Sequence, residues 1–549
     1  MDVYKVPTLT TLTLSAVVLV AIYKLILYPL FLHPLKHIPS AHWSIPLFGD
    51  LWILYQRWQC RNNAITYAAH LKHGEVVRLG YNELSVNCVD NGIKTIYGQG
   101  WEKHPWYPQQ FASYGVSSMF VTLGHGPHSQ KKRTLANVYS KSYLQSSDQV
   151  AANSRALLAE RVLPAIQSFA DAGQVIDVHD LDNAMAMDFM SAYQFGIGNG
   201  TNFVQNTAER RHILHHYHGR RPYEFYSSEL PWIKPLCRAV GIHLIPRQFD
   251  ASNDILEEWL RRMCNNADRT MNQAALTPGQ EPIVYKQFKQ GLHSIRNKNP
   301  HAGKAYDELI LPTVSDTTNP TQLEVYSEML DQLGAGHETS AMALTYLWYE
   351  MSNNPYLQTL LRKEIRTLSP RIVWPTTNDT TNAFDLPSPK DIDALPLLNA
   401  VVLEVLRLHT PIPGIEPRVS PFPAPPGGHT LGSYTGIPGN VRVSSMPYTL
   451  HRNGAVFPDP ETFNPRRWLD SSPEKLKEMH RWFWAFGSGG RMCIGSHLAL
   501  QEIKLIVCTI LGNWEVSVPD GGDAGIEKID AYTVRPVSNQ LLVVFKAAK

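Results

Sequence analysis

The sequence has few cysteines for its length: six in 549 residues (Cys60, Cys88, Cys237, Cys264, Cys493 and Cys508), and no two stand as a CxxC pair. That excludes zinc ribbons, cysteine-ligated iron-sulfur clusters and a secreted disulfide framework, and it points to a reducing compartment. Charge is scarce as well. Charged residues make up 18% of the chain, and 50 Lys+Arg against 48 Asp+Glu leave a formal net charge of +2, too little for a polycation built to hold nucleic acid. No internal period marks a repeat array. Apolar residues are plentiful at 44%, enough to bury a large core and to exclude disorder, and 39 prolines and 13 tryptophans are spread along the chain as in one large irregular domain.

From Thr8 to Leu32 the only charge is Lys24. The run reaches the ~20 residues that cross a bilayer, so it predicts a single transmembrane helix. A cleaved signal peptide is the rival, disfavoured by the length of the run, the absence of a basic cluster before it and the absence of a small-residue cleavage site after it. Lys36 and His37 follow the span, which places the body in the cytosol. The plan is an anchor over 1–33, a proline-rich hinge over 34–46 around Pro34 and Pro39, and one domain over 47–549.

Short alternations at Val76 to Leu79 and Leu84 to Val89 predict strands. Periodic apolar positions predict helices over Gln322 to Ser352, Pro355 to Leu368, Leu395 to His409 and Gly495 to Leu511. Proline and glycine are dense from 411 to 470, with a strand-like run at Asn440 to Ser444. The fold class is therefore mainly α with small β-sheets. Arg371 to Lys390 reads as a surface loop. Asn199-Gly200-Thr201 and Asn378-Asp379-Thr380 match glycosylation acceptors, yet a cytosolic body would never meet the transferase.

Cys493 differs from the other five cysteines. It sits in Phe486-Gly487-Ser488-Gly489-Gly490-Arg491-Met492-Cys493-Ile494-Gly495, a glycine-rich loop that feeds an apolar helix. Backbone N–H groups and the positive end of the helix dipole both favour a thiolate there, the form that ligates iron. Glycines let the backbone approach a flat ligand, Phe486 can pack beside the sulfur, and Arg491 can pair with a carboxylate. The alternative, a small buried hydrophobe, is the reading for the remaining five.

This segment resembles the F-x-x-G-x-R-x-C-x-G signature of the haem-thiolate monooxygenases, the cytochrome P-450 family, and matches Phe486, Gly489, Arg491, Cys493 and Gly495 at each fixed position. The resemblance implies a single haem-thiolate domain with Cys493 as the axial ligand of the iron of haem b. Three further segments are similar to the family's. Ala335-Gly336-His337-Glu338-Thr339 resembles A-G-x-E/D-T, in which Gly336 admits a ligand near the backbone while Thr339 and Glu338 relay protons to dioxygen; a threonine bonding back to the Ala335 carbonyl is the structural alternative. Glu404 and Arg407 share a helix face and resemble E-x-x-R, with Arg467 of Phe463-Asn464-Pro465-Arg466-Arg467-Trp468 completing a network for folding and haem retention; Arg466 stands where an acidic residue is usual. Propionate partners are implied at Arg491, at Arg418 and in the early helix, where the family's W-x-x-x-R appears as His128 and Lys132, leaving Lys132 and Arg133 as alternatives.

Two more expectations follow from family position. Trp101 to Leu123 and Phe225 to Ile245 frame the substrate channel, and Ile412, Pro413, Ile415, Tyr532, Thr533 and Val534 point into a pocket whose aromatic and aliphatic lining suits a lipophilic substrate. Lys131, Lys132, Arg133, Lys475, Lys477 and Arg481 surround the face where an acidic flavin domain docks. The cluster Arg210, Arg211, His212, His215, His216, His218, Arg220 and Arg221 reads as a basic face touching lipid headgroups rather than as a zinc site. The resemblance thus implies a single-pass endoplasmic reticulum enzyme of the fungal microsomal type, taking electrons from NADPH through a separate NADPH-cytochrome reductase to oxidise a secondary metabolite. A haem-thiolate isomerase or dehydratase working without reductase, and a non-catalytic haem sensor, are the rivals; the Glu338 and Thr339 pair argues against both.

Overall fold

Helix starts are written locally in this chain. Asn319 accepts the N–H of Thr321 through its side chain and Pro320 takes the first helical position, where its missing N–H costs nothing; Pro355 and Pro396 take the first position of two other helices. The computed structural model describes residues 9–298, 319–374 and 384–548, so the acceptor sequence at Asn378 lies outside the described residues. The described chain is mainly helical with small sheets and divides into two units, the first of Met1–His104 with Gly414–Leu450, the second of Pro105–Pro413 with His451–Lys549.

In the first unit, helix α1 (Leu9–Ile22) continues into a more widely wound helix, Tyr23–Leu32, that contains Pro29. Thr13–Leu32 is long and apolar enough to cross a membrane, and almost none of it is buried. The proline-rich stretch that follows is fastened down. Leu35 and Ile38 are buried, the Arg78 N–H donates to the Pro39 carbonyl, and the Ala41 N–H donates to that of Arg78. Helix α2 (Asn62–His73) leads into a five-stranded sheet in the order Val76–Gly80, Glu83–Val86, Arg442–Ser444, Arg418–Val419, Glu102–Lys103, with only the second and third strands parallel. The expected strand at Val76 to Leu79 is present, whereas those at Leu84 to Val89 and Asn440 to Ser444 are shorter than expected. Val89 turns away into a helical segment through Asn91, and Asn440 occupies a turn ahead of Arg442; both asparagines hold the left-handed conformation, at φ 51° and 63°.

The second unit holds long helices, among them α3 (His125–Leu135), α4 (Val178–Phe195), α5 (Thr207–His218), α6 (Pro320–Asn353), α7 (Pro396–Leu408) and α8 (Ser496–Asn513). Helices α4 and α6 pack along each other, and buried Asp182 ties them by accepting from Trp348 Nε1 (3.0 Å) and Thr345 Oγ1 (2.9 Å). A three-stranded sheet (Ile176–Asp177, Leu542–Ala547, Trp514–Ser517) and a short hairpin pairing Lys528–Ile529 with Arg535–Pro536 complete it. Asn199 and Thr201 are in structural use: Thr201 is buried and donates to Asp188 Oδ1 (2.6 Å), while Asn199 bonds the Phe195 carbonyl.

Candidate active site

The loop before α8 is closed by its own backbone. The Cys493 N–H donates to the Phe486 carbonyl (3.0 Å), the Met492 N–H to Gly489 and the Gly487 N–H to Trp484. Gly487 and Gly489 hold φ values of 65° and 70°, which side chains with a Cβ rarely adopt, so the tight turn requires glycine there. Cys493 is exposed three residues ahead of α8, whereas Cys88, Cys264 and Cys508 are buried and their thiols are pushed up by that burial.

Two cations brace this loop. Lys132 Nζ donates to the carbonyls of Gly490 and Met492, both at 2.9 Å, and Arg491 donates to Thr122 O (2.7 Å) and Gly124 O (3.3 Å). Burial lowers the Lys132 pKa, opposed by Cys493 and assisted by Arg491. Arg133 is exposed, so of the two alternatives Lys132 is the one that reaches the cysteine loop. His128, one turn earlier on α3, is buried. Arg418 belongs to the first unit, where its buried guanidinium lies over the Tyr97 ring at 4.8 Å.

Along α6, Thr339 Oγ1 donates to the Ala335 carbonyl at 2.8 Å. Ala335 is exposed in mid-helix although Leu333, His337 and Glu338 around it are buried, and it lines a half-open cavity of about 260 Å3 together with Glu338 and Thr339. Gly336 requires a correction: a Cβ on it would come within 2.6 Å of Met190 Sδ, so its bareness serves the close approach of α4 and not the admission of a ligand. The Glu338 carboxylate is gripped from above, by Arg221 at one oxygen and by the Tyr217 hydroxyl at the other (3.1 Å). Burial and the neighbouring Glu338 hold the Tyr217 phenol well above its usual pKa, so it remains a donor.

That grip was invisible in the sequence and overturns the reading of residues 210–221 as one basic face. Arg221 is buried on Glu338, and Arg210 is buried against Asp180 (2.8 Å); only Arg211, His212 and His215 of the cluster are well exposed. Lys131 is likewise no docking residue. It is buried, donating to Ser117 O and paired with Glu324 at 3.3 Å. Ile412, Tyr532 and Thr533 line the cavity, as do residues of 110–120 and of 227–245. Val534 instead lies in the wall, its N–H on Pro411 O, and Ile415 is part of the first unit. Nor is the lining wholly apolar, since it includes Arg220, Arg221, Glu224, Lys234, Asp331 and Arg535.

The structure brings Glu404, Arg407 and Arg467 together with no solvent contact at the first two. Arg407 Nε and Nη2 form a two-pronged bond to Glu404 (2.9 and 2.8 Å), Arg467 Nε adds 2.9 Å, and Trp468 Nε1 adds 2.8 Å. Arg466, by contrast, forms an exposed pair with Asp470. His451 carries the network onward. Its Nδ1 bonds the Arg407 carbonyl (2.9 Å), its Nε2 accepts the Trp484 N–H (2.7 Å), and Trp484 Nε1 donates to Ser488 in the cysteine loop (2.8 Å). Burial lowers the His451 pKa to about 3, which keeps Nε2 an acceptor.

An exposed thiol at a helix start, with Lys132 and Arg491 beside it and an exposed Ala335 on a buried helix of the same unit, suits an iron macrocycle bearing carboxylates; the donor set is one soft ligand plus cations. Comparison with known proteins agrees. The sequence model of the Cytochrome P450 family matches residues 39–543. The chain is similar to Cytochrome P450 monooxygenase avaI of Aspergillus versicolor, 30% identical over 449 residues that cover 79% of this chain and 94% of the other. It is also similar to Cytochrome P450 monooxygenase FGM1 of Gibberella zeae (26% over 490 residues, 86% and 85% covered) and to Conidiogenone synthase PchP450 of Penicillium rubens (24% over 463 residues, 82% and 81% covered). The chain belongs to the Cytochrome P450 family and is a haem monooxygenase.

Proposed function

We propose that the protein is a membrane-anchored monooxygenase of fungal secondary metabolism that inserts one oxygen atom into a small molecule, with Cys493 as the iron ligand and electrons delivered from NADPH by a separate reductase at the endoplasmic reticulum. The observation that carries this is the exposed Cys493 in a backbone-closed glycine turn directly ahead of α8. Residues 1–33 form the anchor, 34–46 the connection and 47–549 the catalytic body. Helix Thr13–Leu32 and the fungal relatives support the placement.

Haem bound here would supply dioxygen activation, which no side chain provides. Lys132 and Arg491, the two cations that brace the cysteine loop, would hold its propionates. The Thr339 hydroxyl, now donating to Ala335 O, can rotate its proton toward the cavity, where Glu338 is held in place by Arg221 and Tyr217. Thr339→Ala should therefore leave substrate binding intact while product formed per NADPH consumed falls by roughly tenfold, short of the ~10²–10⁴ of a positioned donor because water substitutes. Unchanged coupling, with no added peroxide, would remove Thr339 from the relay. The same measurement separates this reading from an isomerase or dehydratase, which consumes no NADPH.

Reductase docking falls to the exposed cations Lys477 and Arg133, since Lys131 is buried. Reversing both to glutamate should slow reductase-driven turnover and spare peroxide-driven turnover. The difference should fade as salt shortens the Debye length from about 10 Å at 0.1 M to about 3 Å at 1 M. Equal losses in the two assays would signal damage to the haem site and exclude docking.

A further inference from the structure

The cavity beside Thr339 is more highly charged than the oxidation of a hydrocarbon requires. Four cations line it, Arg220, Arg221, Lys234 and Arg535, against three carboxylates, Glu224, Asp331 and Glu338. The cations come from separate elements: the turn after α5, helix Ile233–Ala239 and the strand Arg535–Pro536. Three of them nevertheless act in one place: the charge of Arg220 bears on Glu224, and those of Arg221 and Arg535 both bear on Glu224, His179 and His218. The two histidines are held neutral by burial and by those arginines. Burial and Glu338 push the Glu224 carboxyl up to about 7 although Arg221, Arg535 and Arg220 pull it down. The lining thus keeps a surplus of one positive charge, which becomes two as Glu224 takes up its proton.

Part of the remaining lining is aromatic and aliphatic. Phe111 packs between Phe120 and Tyr532 at ring distances of 5.5 and 4.9 Å, with Leu330 and Ile412 nearby in the lining. A hydrocarbon guest would strip water from the cations and return nothing, whereas a carboxylate replaces that water with charge-assisted bonds. Each guanidinium presents five N–H donors in a fork, more than one carboxylate accepts, so an arginine already engaged in the wall still has donors for a guest. We infer that the substrate is a lipophilic carboxylic acid whose ionised group is held by Arg535 and Arg220 while its apolar body lies against Phe111 and Phe120. This rests on the monooxygenase reading of the same cavity.

The full-length haem-loaded protein should be titrated calorimetrically with dodecanoic, abietic and naphthylacetic acids, each against its methyl ester. At least one acid should bind tenfold or more tightly than its ester, the scale of a charge-assisted bond to a buried group. Arg535→Gln, and Arg220→Gln as an independent second variant, should each erase most of that preference, with haem content reporting that the variant is folded. From pH 8 to pH 6 the preference should grow, because Glu224 loses its negative charge while the acid stays ionised and Arg220, Arg221 and Arg535 stay charged. No preference in any of the three pairs, or a preference untouched by both variants, would overturn the carboxylate assignment. Failure of the underlying reading shows separately, as a reduced protein lacking the thiolate-type carbon monoxide spectrum in the wild type.

Discussion

Cys493→His should yield a folded protein whose reduced carbon monoxide spectrum lacks the red-shifted band of a thiolate ligand and whose NADPH-driven oxidation is lost altogether. The expectation comes from the local construction. The loop closes through the Cys493 N–H and through glycines at 487 and 489, none of which the substitution touches, so the backbone should stand while the ligand changes from an anionic sulfur to a neutral nitrogen. A thiolate pushes electron density toward bound oxygen and favours O–O cleavage, and an imidazole does so far less. Cys493→Ser is the companion variant, removing the soft ligand at nearly constant volume. None of the other five cysteines is in a position to replace it: Cys88, Cys264 and Cys508 are buried with raised pKa values, Cys237 lies inside the helix Ile233–Ala239, and Cys60 stands in a turn without glycine. A thiolate-type spectrum surviving in Cys493→His would end the assignment.

The cysteine loop and the long helices were legible because their signals are local. Pro320 and Asn353 bracket α6 within two residues of the expected Gln322 to Ser352, since a proline start and an apolar period of 3.6 are written in consecutive residues. Glu404 and Arg407 were readable for the same reason, being one turn apart among valines and leucines. Partnerships across long stretches of chain were not. Arg221 and Glu338 are 117 residues apart, and no pattern around Arg221 distinguishes an arginine that turns inward from the solvated Arg211 ten residues before it. Lys131 and Lys132 are adjacent on α3, so the helix sends one to Glu324 and the other to the cysteine loop; the choice is made by what α3 packs against. Gly336 misled for a related reason, because a bare position can admit a ligand or a neighbouring helix and only the Met190 contact decides. The charged cavity was missed because its cations belong to segments whose own sequence reads as surface.

Glu404→Ala should give a protein that is haem-poor and about 5 °C less stable, the shift that the loss of a buried ion partner makes in a domain of this size, although Glu404 touches no part of the cavity. Two guanidiniums, Arg407 and Arg467, lose their shared carboxylate, and the indole of Trp468 and the N–H of Asn464 lose the same acceptor. Removing one partner from a buried ion pair costs about 3–5 kcal/mol, a large part of the ~5–15 kcal/mol that holds a domain together. An exposed pair such as Arg466 with Asp470 would cost under about 1 kcal/mol, so the size of the loss measures burial directly. Haem loss follows by a traceable route. Arg407 also donates to the His451 carbonyl (3.1 Å), and His451 accepts the Trp484 N–H two residues before Phe486, so a displaced Arg407 unfastens the entry to the cysteine loop. His451→Phe tests that link alone: it keeps the ring volume beside Phe483 but removes the acceptor, and it should lower haem retention with less effect on the thermal midpoint than Glu404→Ala. Full haem content and a normal midpoint in Glu404→Ala would contradict the buried network. Haem loss in Glu404→Ala with full retention in His451→Phe would confine the role of Glu404 to folding and cut the connection to the loop.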